Sequence, residues 1–406
     1  MSQIAASRCE ALAAECDHEF EAILDWWSTH AVDPRGGFYG EVGADNAPNL
    51  AAGKGAVLNA RLLWFFSLAC LHRRSDQARL LADRAAEYLR SAFLDEHNGG
   101  LFWEVDSGAI PIQRRKQTYA QAFAIYGLCE HFRATQNPAS RDLALHLFDL
   151  IEAHLADHKH GGYIEALAED WSPLHDMRLS ELDANMPKSQ NTHLHVLEAH
   201  TALVEIAPSP RTETALKCCI GVFKNRLFNP TTKHLRTFLD LDWSDRSEGV
   251  SFGHDIEASW LLWRAGEVLD RTEGAELAPI VVDLAYTTLR EGLDDRGALL
   301  AEQDFNGALD GRRVWWAQAE AIIGFLNAYE ITGDELFFNA FERVWAFTKR
   351  HVKDANGEWS WWSDLDAPSA DRAYKAGFWK CPYHNGRAML EVSQRLRVLA
   401  GQRQNG

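Results

Sequence analysis

The sequence predicts an all-α fold, an (α/α)6 barrel of six helical hairpins with short β-hairpins gathered at one mouth, and three observations carry that expectation. An amphipathic helix pattern runs six times into an acidic or Asn turn and a short hairpin-like stretch, at Asp33–Val42, Asp95–Val105, Asp157–Glu165, Asn229–Phe238, Asp294–Glu302 and Asp354–Trp362. Measured from Gly37, Gly100, Gly162, His234, Gly297 and Gly357, the steps are 63, 62, 72, 63 and 60 residues. A period this regular marks a repeat architecture. Finally, the second helix of each unit is apolar around most of its circumference, which demands cover on nearly all sides.

Each unit has the same grammar. The helix before the turn carries apolar residues at three- and four-residue spacing, as in Ala82–Phe93 or Leu143–Leu155. The second helices read as Lys54–Leu71, Lys116–Phe132, Lys188–Ile206, Gly249–Leu269, Val314–Ile331 and Phe378–Leu396. Two helices in each of six units close naturally into a double ring. An open solenoid of the same repeat needs polar capping ends, and neither terminus supplies one. No Pro, Gly or Ser-rich linker interrupts the repeat, so residues 1–406 are expected to form a single catalytic domain.

Composition narrows the function. A formal net charge of −17 argues against nucleic acid, whose phosphates need a basic face, and against anionic membranes. Seven cysteines without a CxxC pattern point to reduced thiols and a cytoplasmic enzyme. Met1–Phe20 lacks the apolar core of a signal peptide, and no apolar run reaches membrane-spanning length. A monomer or homodimer is expected.

In the predicted ring the starts of the second helices meet at one mouth. They carry Asn59 and Arg61, Tyr119 and Gln121, Asn191 with His193 and His195, His254 with Glu257, Trp315, Trp316, Gln318 and Glu320, and Trp379, Tyr383, His384 and Arg387. Ordinary helix caps do not require such residues. Fifteen tryptophans are many for 406 residues. Aromatic faces grip the apolar side of a sugar ring, and amides, carboxylates and Arg take its hydroxyls, so the mixture suggests a small carbohydrate. Most Trp, such as Trp260 and Trp345, fit core positions; Trp316 and Trp379 sit where inner helices are expected to begin.

Residues four apart share a helix face, so Asn191 points with His195 while His193 points elsewhere. His254 and Glu257, three apart, share a face and are expected to pair, the carboxylate orienting the imidazole. Asp255, one step on, reads as a supporting group. His193-Leu-His195 and His158-Lys-His160 lack third and fourth ligands at metal spacing, and HExxH, P-loop, nucleophile-elbow and dinucleotide glycine patterns are missing, so no metal or cofactor is expected. Acid/base work by histidines remains.

The stretches Met177–Ser180, Lys188–Ala199, Ser251–Leu262, Trp315–Ala321 and Trp379–Asn385 resemble those of the cellobiose 2-epimerases, a branch of the N-acylglucosamine 2-epimerase superfamily. The resemblance spans essentially the whole chain, and its most specific motifs are Gly253-His-Asp-Ile-Glu257 and Cys381-Pro-Tyr-His-Asn385. It implies an (α/α)6 barrel and cofactor-free inversion at C2 of the reducing-end sugar of a β-1,4-linked disaccharide. By the same resemblance His254 and His384 are the acid/base pair, and His195 and Arg61 contact the reacting end. Tyr119, Asn191 and Asp183 hold that ring, Trp316 and Trp379 stack on sugars, and Glu257 orients His254. Relatives acting on free mannose or glucose leave a monosaccharide epimerase or aldose–ketose isomerase as the alternative, with the short segment Phe305–Arg313 as one place where a subsite wall could differ. A glycoside hydrolase is the rival from another class, because two carboxylates among Asp183, Glu257 and Glu320 could flank a glycosidic bond. The three-histidine set argues against it.

Overall fold

The computed structural model describes residues 4–355, 357–366 and 374–404, so Asn356 of the sixth turn lies outside the described residues. Twelve α-helices follow one another among the described residues: α1 (Ala6–His30), α2 (Ala56–Arg73), α3 (Asp76–Tyr88), α4 (Thr118–Thr135), α5 (Pro138–Leu150), α6 (Gln190–Ile206), α7 (Pro210–Val222), α8 (Phe252–Leu269), α9 (Arg271–Thr287), α10 (Trp315–Thr332), α11 (Glu335–His351) and α12 (Tyr383–Gln404). The even-numbered helices pack in sequence, α2 on α4, α4 on α6, α6 on α8, α8 on α10 and α10 on α12, and α12 returns to α2. That closes the inner ring. Each of α3, α5, α7, α9 and α11 packs outside the helix before it, and α1 covers α12, joining the two ends of the chain. The (α/α)6 barrel expected from the repeat is the observed fold.

Burial explains the two helix types. In α10 every residue from Trp315 to Tyr329 except Trp316 is buried, as befits a helix enclosed by neighbours. In α11 only one stripe is buried, including Phe337, Phe341, Val344, Trp345 and Thr348, and the opposite face is polar. Local signals set the ends. Ser75, Asn137, Ser209 and Asp334 accept backbone N–H bonds at the starts of α3, α5, α7 and α11, with Pro138 and Pro210 opening their helices. Gly333, at φ +70°, ends α10. Four outer helices finish in a π-turn at the same place: Leu89–Phe93, Ile151–Leu155, Phe223–Leu227 and Thr288–Gly292.

The hairpins do more than decorate the mouth: they stitch neighbouring repeats together. Strand β1 (Lys54–Gly55), which leads into α2, pairs with β2 (Glu104–Val105) of the next repeat, and β2 pairs with β3 (Pro111–Gln113). In the same way β4 (Lys116–Gln117) pairs with β5 (Ala166–Leu167), β6 (Lys188–Ser189) with β7 (Phe238–Leu239), and β8 (Gly249–Ser251) with β9 (Glu302–Asp304), which also pairs with β10 (Leu309–Asp310). Bridges Val314–Trp362 and Val42–Ala376 complete the circle. In the first three repeats the lysine before the inner helix holds the turn aspartate: Lys54–Asp33 at 2.8 Å, Lys116–Asp95 at 2.7 Å and Lys188–Asp157 at 2.8 Å. The turns need glycine where the chain turns back. At Gly100, φ is +71° and an added Cβ would lie 2.9 Å from the Trp171 ring.

The inner helices begin one to five residues later than expected, with short strands taking the residues before the first four, and the last runs on to Gln404 rather than ending at Leu396. The sixth inner helix begins at Tyr383 rather than at Phe378, because a residue before proline is held out of the α region and Pro382 follows Cys381. Trp379 therefore stands on the connecting loop and not on a helix start.

Candidate active site

All six inner helices contribute to one lumen at the mouth. In ring order they bring Arg61 from α2, Tyr119 from α4, His195 from α6, His254 from α8, Trp316 and Glu320 from α10, and His384 with Arg387 from α12. Most of these side chains are buried, with Arg61 and His195 each 2 % exposed and His384 5 %.

The Arg61 guanidinium donates to the Tyr119 hydroxyl at 2.8 Å and to the Trp379 carbonyl at 3.4 Å, and lies over the Phe123 and Tyr383 rings. Tyr119 and Phe123 flank His195, with ring centroids 4.8 and 4.4 Å away. Across the lumen Trp316 touches both of the other histidines, 4.8 Å from His254 and 5.6 Å from His384. Trp379 lies 5.9 Å from Tyr119 and 5.8 Å from Trp103. His254 and His384 are thus not directly across the ring from one another. They stand on α8 and α12, one on each side of α10.

Beneath the histidines lies a buried charge network centred on Arg387. It donates to Glu198, to Glu320 at 2.7 Å and to Glu257 at 3.1 Å, while the Tyr383 hydroxyl donates to Glu198 at 2.6 Å. His195 Nδ1 donates to Glu198 at 3.2 Å and His384 Nδ1 to Glu320 at 2.6 Å, and the Trp260 indole donates to the other Glu320 oxygen at 2.9 Å. With Nδ1 spent on a carboxylate, Nε2 is the nitrogen left to accept or deliver a proton in each ring. His254 is held differently, by a 2.8 Å bond between Nδ1 and the Ser251 hydroxyl.

The expected His254–Glu257 pair does not form. His254 Nδ1 is instead taken by the Ser251 hydroxyl, and Arg387 draws Glu257 away. Glu257, one turn deeper, reaches Arg387 and lies 3.9 Å from His384 Nδ1. The i, i+3 pairing that does form is His195 with Glu198, a residue the sequence reading passed over although the same spacing points to it. Asp183 accepts from the Ser180 backbone and hydroxyl at 2.9 and 2.7 Å, bracing the loop before β6. Asn191 lies one turn nearer the mouth than His195, and Asp255 is a supporting group, bonded to the hairpin of its own repeat.

Burial controls protonation here. It lowers His195 to about 4 despite the Glu198 bond, and His254 and His384 to about 3, so all three are neutral near pH 7. Burial also opposes charge on Glu320, but Arg387 and the His384 bond outweigh it and bring that carboxyl down to about 2. Glu257 goes the other way: burial and the Glu320 charge push it well above the usual carboxylate range, so it keeps its proton. Arg61 and Arg387 then balance Glu198 and Glu320. Glu257, Glu320 and His384 are near enough to suggest a cation site, yet Arg387 already lies against both carboxylates. Arg61 Nε, Asn191 Oδ1 and Glu257 Oε2 are buried without a hydrogen-bond partner among the described residues, as suits a site built for a ligand rich in hydroxyls.

The model of the N-acylglucosamine 2-epimerase (GlcNAc 2-epimerase) family matches residues 37–388. The cellobiose 2-epimerase of Bacteroides fragilis is 42% identical over 374 residues, covering 91% of this chain and 95% of that protein. The structure of cellobiose 2-epimerase from Spirochaeta thermophila superposes with a TM-score of 0.90 at 36% identity, covering 97% of this chain and 98% of that one. The GH76A α-1,6-mannanase from Salegentibacter sp. shares the fold alone, at 12% identity and a TM-score of 0.63, with 95% of this chain and 99% of that one covered. A chain that matches that family model over most of its length, and that is 42% identical to a cellobiose 2-epimerase over nearly all of both proteins, belongs to the N-acylglucosamine 2-epimerase family and is a sugar 2-epimerase of the isomerase class.

Proposed function

We propose that the chain inverts C2 of the reducing-end aldose of a β-1,4-linked disaccharide, converting cellobiose to glucosyl-mannose through a cis-enediolate, with His254 and His384 as the two proton-transfer groups. The observation that carries this reading is the pair of neutral imidazoles on either side of Trp316, on α8 and α12, with Arg61 and His195 on the facing helices.

Inversion requires the sugar ring to open, so that the C1 carbonyl acidifies the C2 proton. One imidazole removes that proton. The other, having taken up a proton from solvent as negative charge develops beside it, returns that proton to the opposite face of C2, and the first gives its captured proton back to solvent before the next turnover. Glu320 holds His384 through Nδ1, so its Nε2 faces the reaction in a fixed tautomer, and the Ser251 hydroxyl holds the His254 ring through its Nδ1. Arg61 supplies fixed positive charge for the enediolate oxygens. His195, oriented by Glu198, takes a hydrogen bond at the same end. Tyr119 and Asn191 hold the ring, Asp183 braces the loop wall beside it, and Trp316 and Trp379 offer stacking faces. A proton returned to C1 gives the ketose, so a minor isomerase activity accompanies epimerisation.

Hydrolysis fits poorly. Its two carboxylates must flank the bond some 5–9.5 Å apart, whereas Glu257 and Glu320 converge on a single Arg387 nitrogen. Incubation with cellobiose, mannobiose, mannose and glucose, followed by chromatography, tests the proposal. Interconversion of cellobiose and glucosyl-mannose at the highest kcat/KM supports it. Turnover of the free hexoses alone would move the substrate to monosaccharides, and release of glucose from cellobiose would overturn the reading.

A further inference from the structure

The fourth repeat is wired differently from its neighbours. In α4, α6 and α10 the fourth residue of the inner helix ties the helix to its hairpin with a neutral side chain. Gln121 accepts from the Leu101 N–H at 2.8 Å and donates to its carbonyl at 3.0 Å; Gln318 does the same for Leu299, at 2.9 and 2.7 Å. His193 Nε2 accepts from the Tyr163 N–H at 3.0 Å. In α8 this position is Asp255, fully buried, whose Oδ1 accepts from the Leu235 N–H at 2.8 Å.

A carboxylate at such a position needs a cation. His234 supplies it, occupying the turn position that is glycine in the other repeats. Its Nδ1 lies 2.6 Å from Asp255 Oδ2 and its Nε2 3.1 Å from Glu291 Oε2. An imidazole facing a carboxylate at each nitrogen donates at both, which only the protonated ring can do. The usual clamp is missing from the same repeat: the turn opens with Asn229 rather than Asp, and Val250 stands where Lys54, Lys116 and Lys188 stand, two residues before the helix.

We propose that the Asp255–His234 ion pair is a positioning device for His254, fixing the first turn of α8 and making the placement of that imidazole depend on the charge of His234. The inference rests on the reading of His254 as a proton-transfer group. Asp255 follows His254 directly, so a displaced anchor displaces the reacting ring, and an error near 1 Å in such a group costs about 10²-fold in rate. The charged groups facing His234 are Asp255 on α8 and Glu291 in the turn after α9; the adjacent Lys233 is engaged by Asp283 of α9 at 2.9 Å. Burial opposes the charge on His234, but the bonds to Asp255 and Glu291 outweigh it and raise the ring above its ordinary value. Burial likewise raises Asp255, with His234 offsetting part of the effect. The sign follows: the anchor is intact below the ordinary imidazole value and weakens as pH rises through the raised His234 value, when a buried carboxylate loses its cation.

The test is kcat and KM against pH for the unmodified enzyme, His234→Gln and the double variant His234→Gln/Asp255→Asn. The unmodified enzyme should lose kcat on the alkaline side with KM changing by less than about twofold. His234→Gln should be about 10–100-fold lower in kcat, with that alkaline fall removed. The double variant, which restores a neutral anchor, should recover most of the loss. A folded His234→Gln enzyme with unchanged kcat and an unchanged alkaline limb would overturn the proposal, as would a double variant no better than the single one. Should the variants not fold, NMR titration of His234 in the unmodified enzyme decides: its midpoint must coincide with the alkaline limb, and a mismatch overturns the proposal. The two failures are separable, because full turnover by His254→Ala would end the functional reading, whereas an unaltered limb in His234→Gln ends the ion-pair proposal alone.

Discussion

His193 and His195 stand two residues apart on α6, equally hidden from solvent and both lowered by burial to about 4, yet they belong to different regions of the molecule. His193 faces the rim. Its Nδ1 donates to the Ser189 carbonyl at 2.7 Å and its Nε2 accepts from the Tyr163 N–H, so both nitrogens are consumed in holding a hairpin to a helix. His195 faces the lumen, where Glu198 fixes one nitrogen and leaves the other for a ligand. Burial and a shifted pKa therefore do not separate a working histidine from a structural one; the count of committed nitrogens does. The same distinction runs round the ring, with Gln121, Asp255 and Gln318 serving the rim and Tyr119, His254 and Glu320 serving the lumen.

The sharpest way to break this comparison is to delete members of each set. His254→Ala and His384→Ala should each lose about 10²–10⁴-fold or more in kcat/KM, with thermal unfolding close to that of the parent. His193→Gln should do the reverse, losing about 1–3 kcal/mol of stability with kcat nearly unchanged. A stable His193→Gln enzyme with crippled turnover would erase the line between rim and lumen.

Within the lumen the network under the histidines separates two carboxylates that touch the same guanidinium. Glu320 is ionised and holds both Arg387 and His384, so Glu320→Gln leaves a buried cation short of its partner and should cost about 100-fold or more in kcat. Glu257 already holds a proton, and Glu257→Gln, which matches it in shape and charge, should stay within about tenfold. Kinetics of the two variants that fall together would refute the division of protons drawn above.

The smallest effect concerns acid stability. His193, His195 and His200 fall to about 4 in the folded chain, against 6.5 for the free group. The folded state thus resists their protonation. Their contribution is fully present above about 6.5 and is lost progressively as pH falls toward 4. The unfolding midpoint should decline over that window, and His193→Gln should decline less steeply; a parent curve flat from pH 7 to 4 would contradict the assignment.

The barrel was legible in the sequence because a 60-residue period and all-round apolar helices admit few other packings, and those signals are local. Arg61, Tyr119, His195, His254 and His384 were legible because ring position follows from the start of each inner helix. The pairings inside the lumen were not. Glu257 was assigned to His254 by its i, i+3 spacing, but the Ser251 hydroxyl takes His254 Nδ1 and Glu257 is drawn to Arg387, a contact 130 residues away in sequence. Glu198 was within reach of the same spacing, through His195, but its remaining partners Arg387 and Tyr383 lie 189 and 185 residues on and were not. The stitching of each hairpin to the preceding repeat also involves strands of two or three residues, too short for any period to reveal.

The central claim, proton transfer at C2 by two solvent-equilibrated imidazoles, is tested most directly by running the reaction in D2O and reading the product by NMR and mass spectrometry. The account predicts one deuterium at C2 of the epimerised sugar at first turnover, with the glycosidic bond whole. Epimerised product with hydrogen retained at C2 would contradict it, because the proton delivered to the second face must come from a group that exchanges with water.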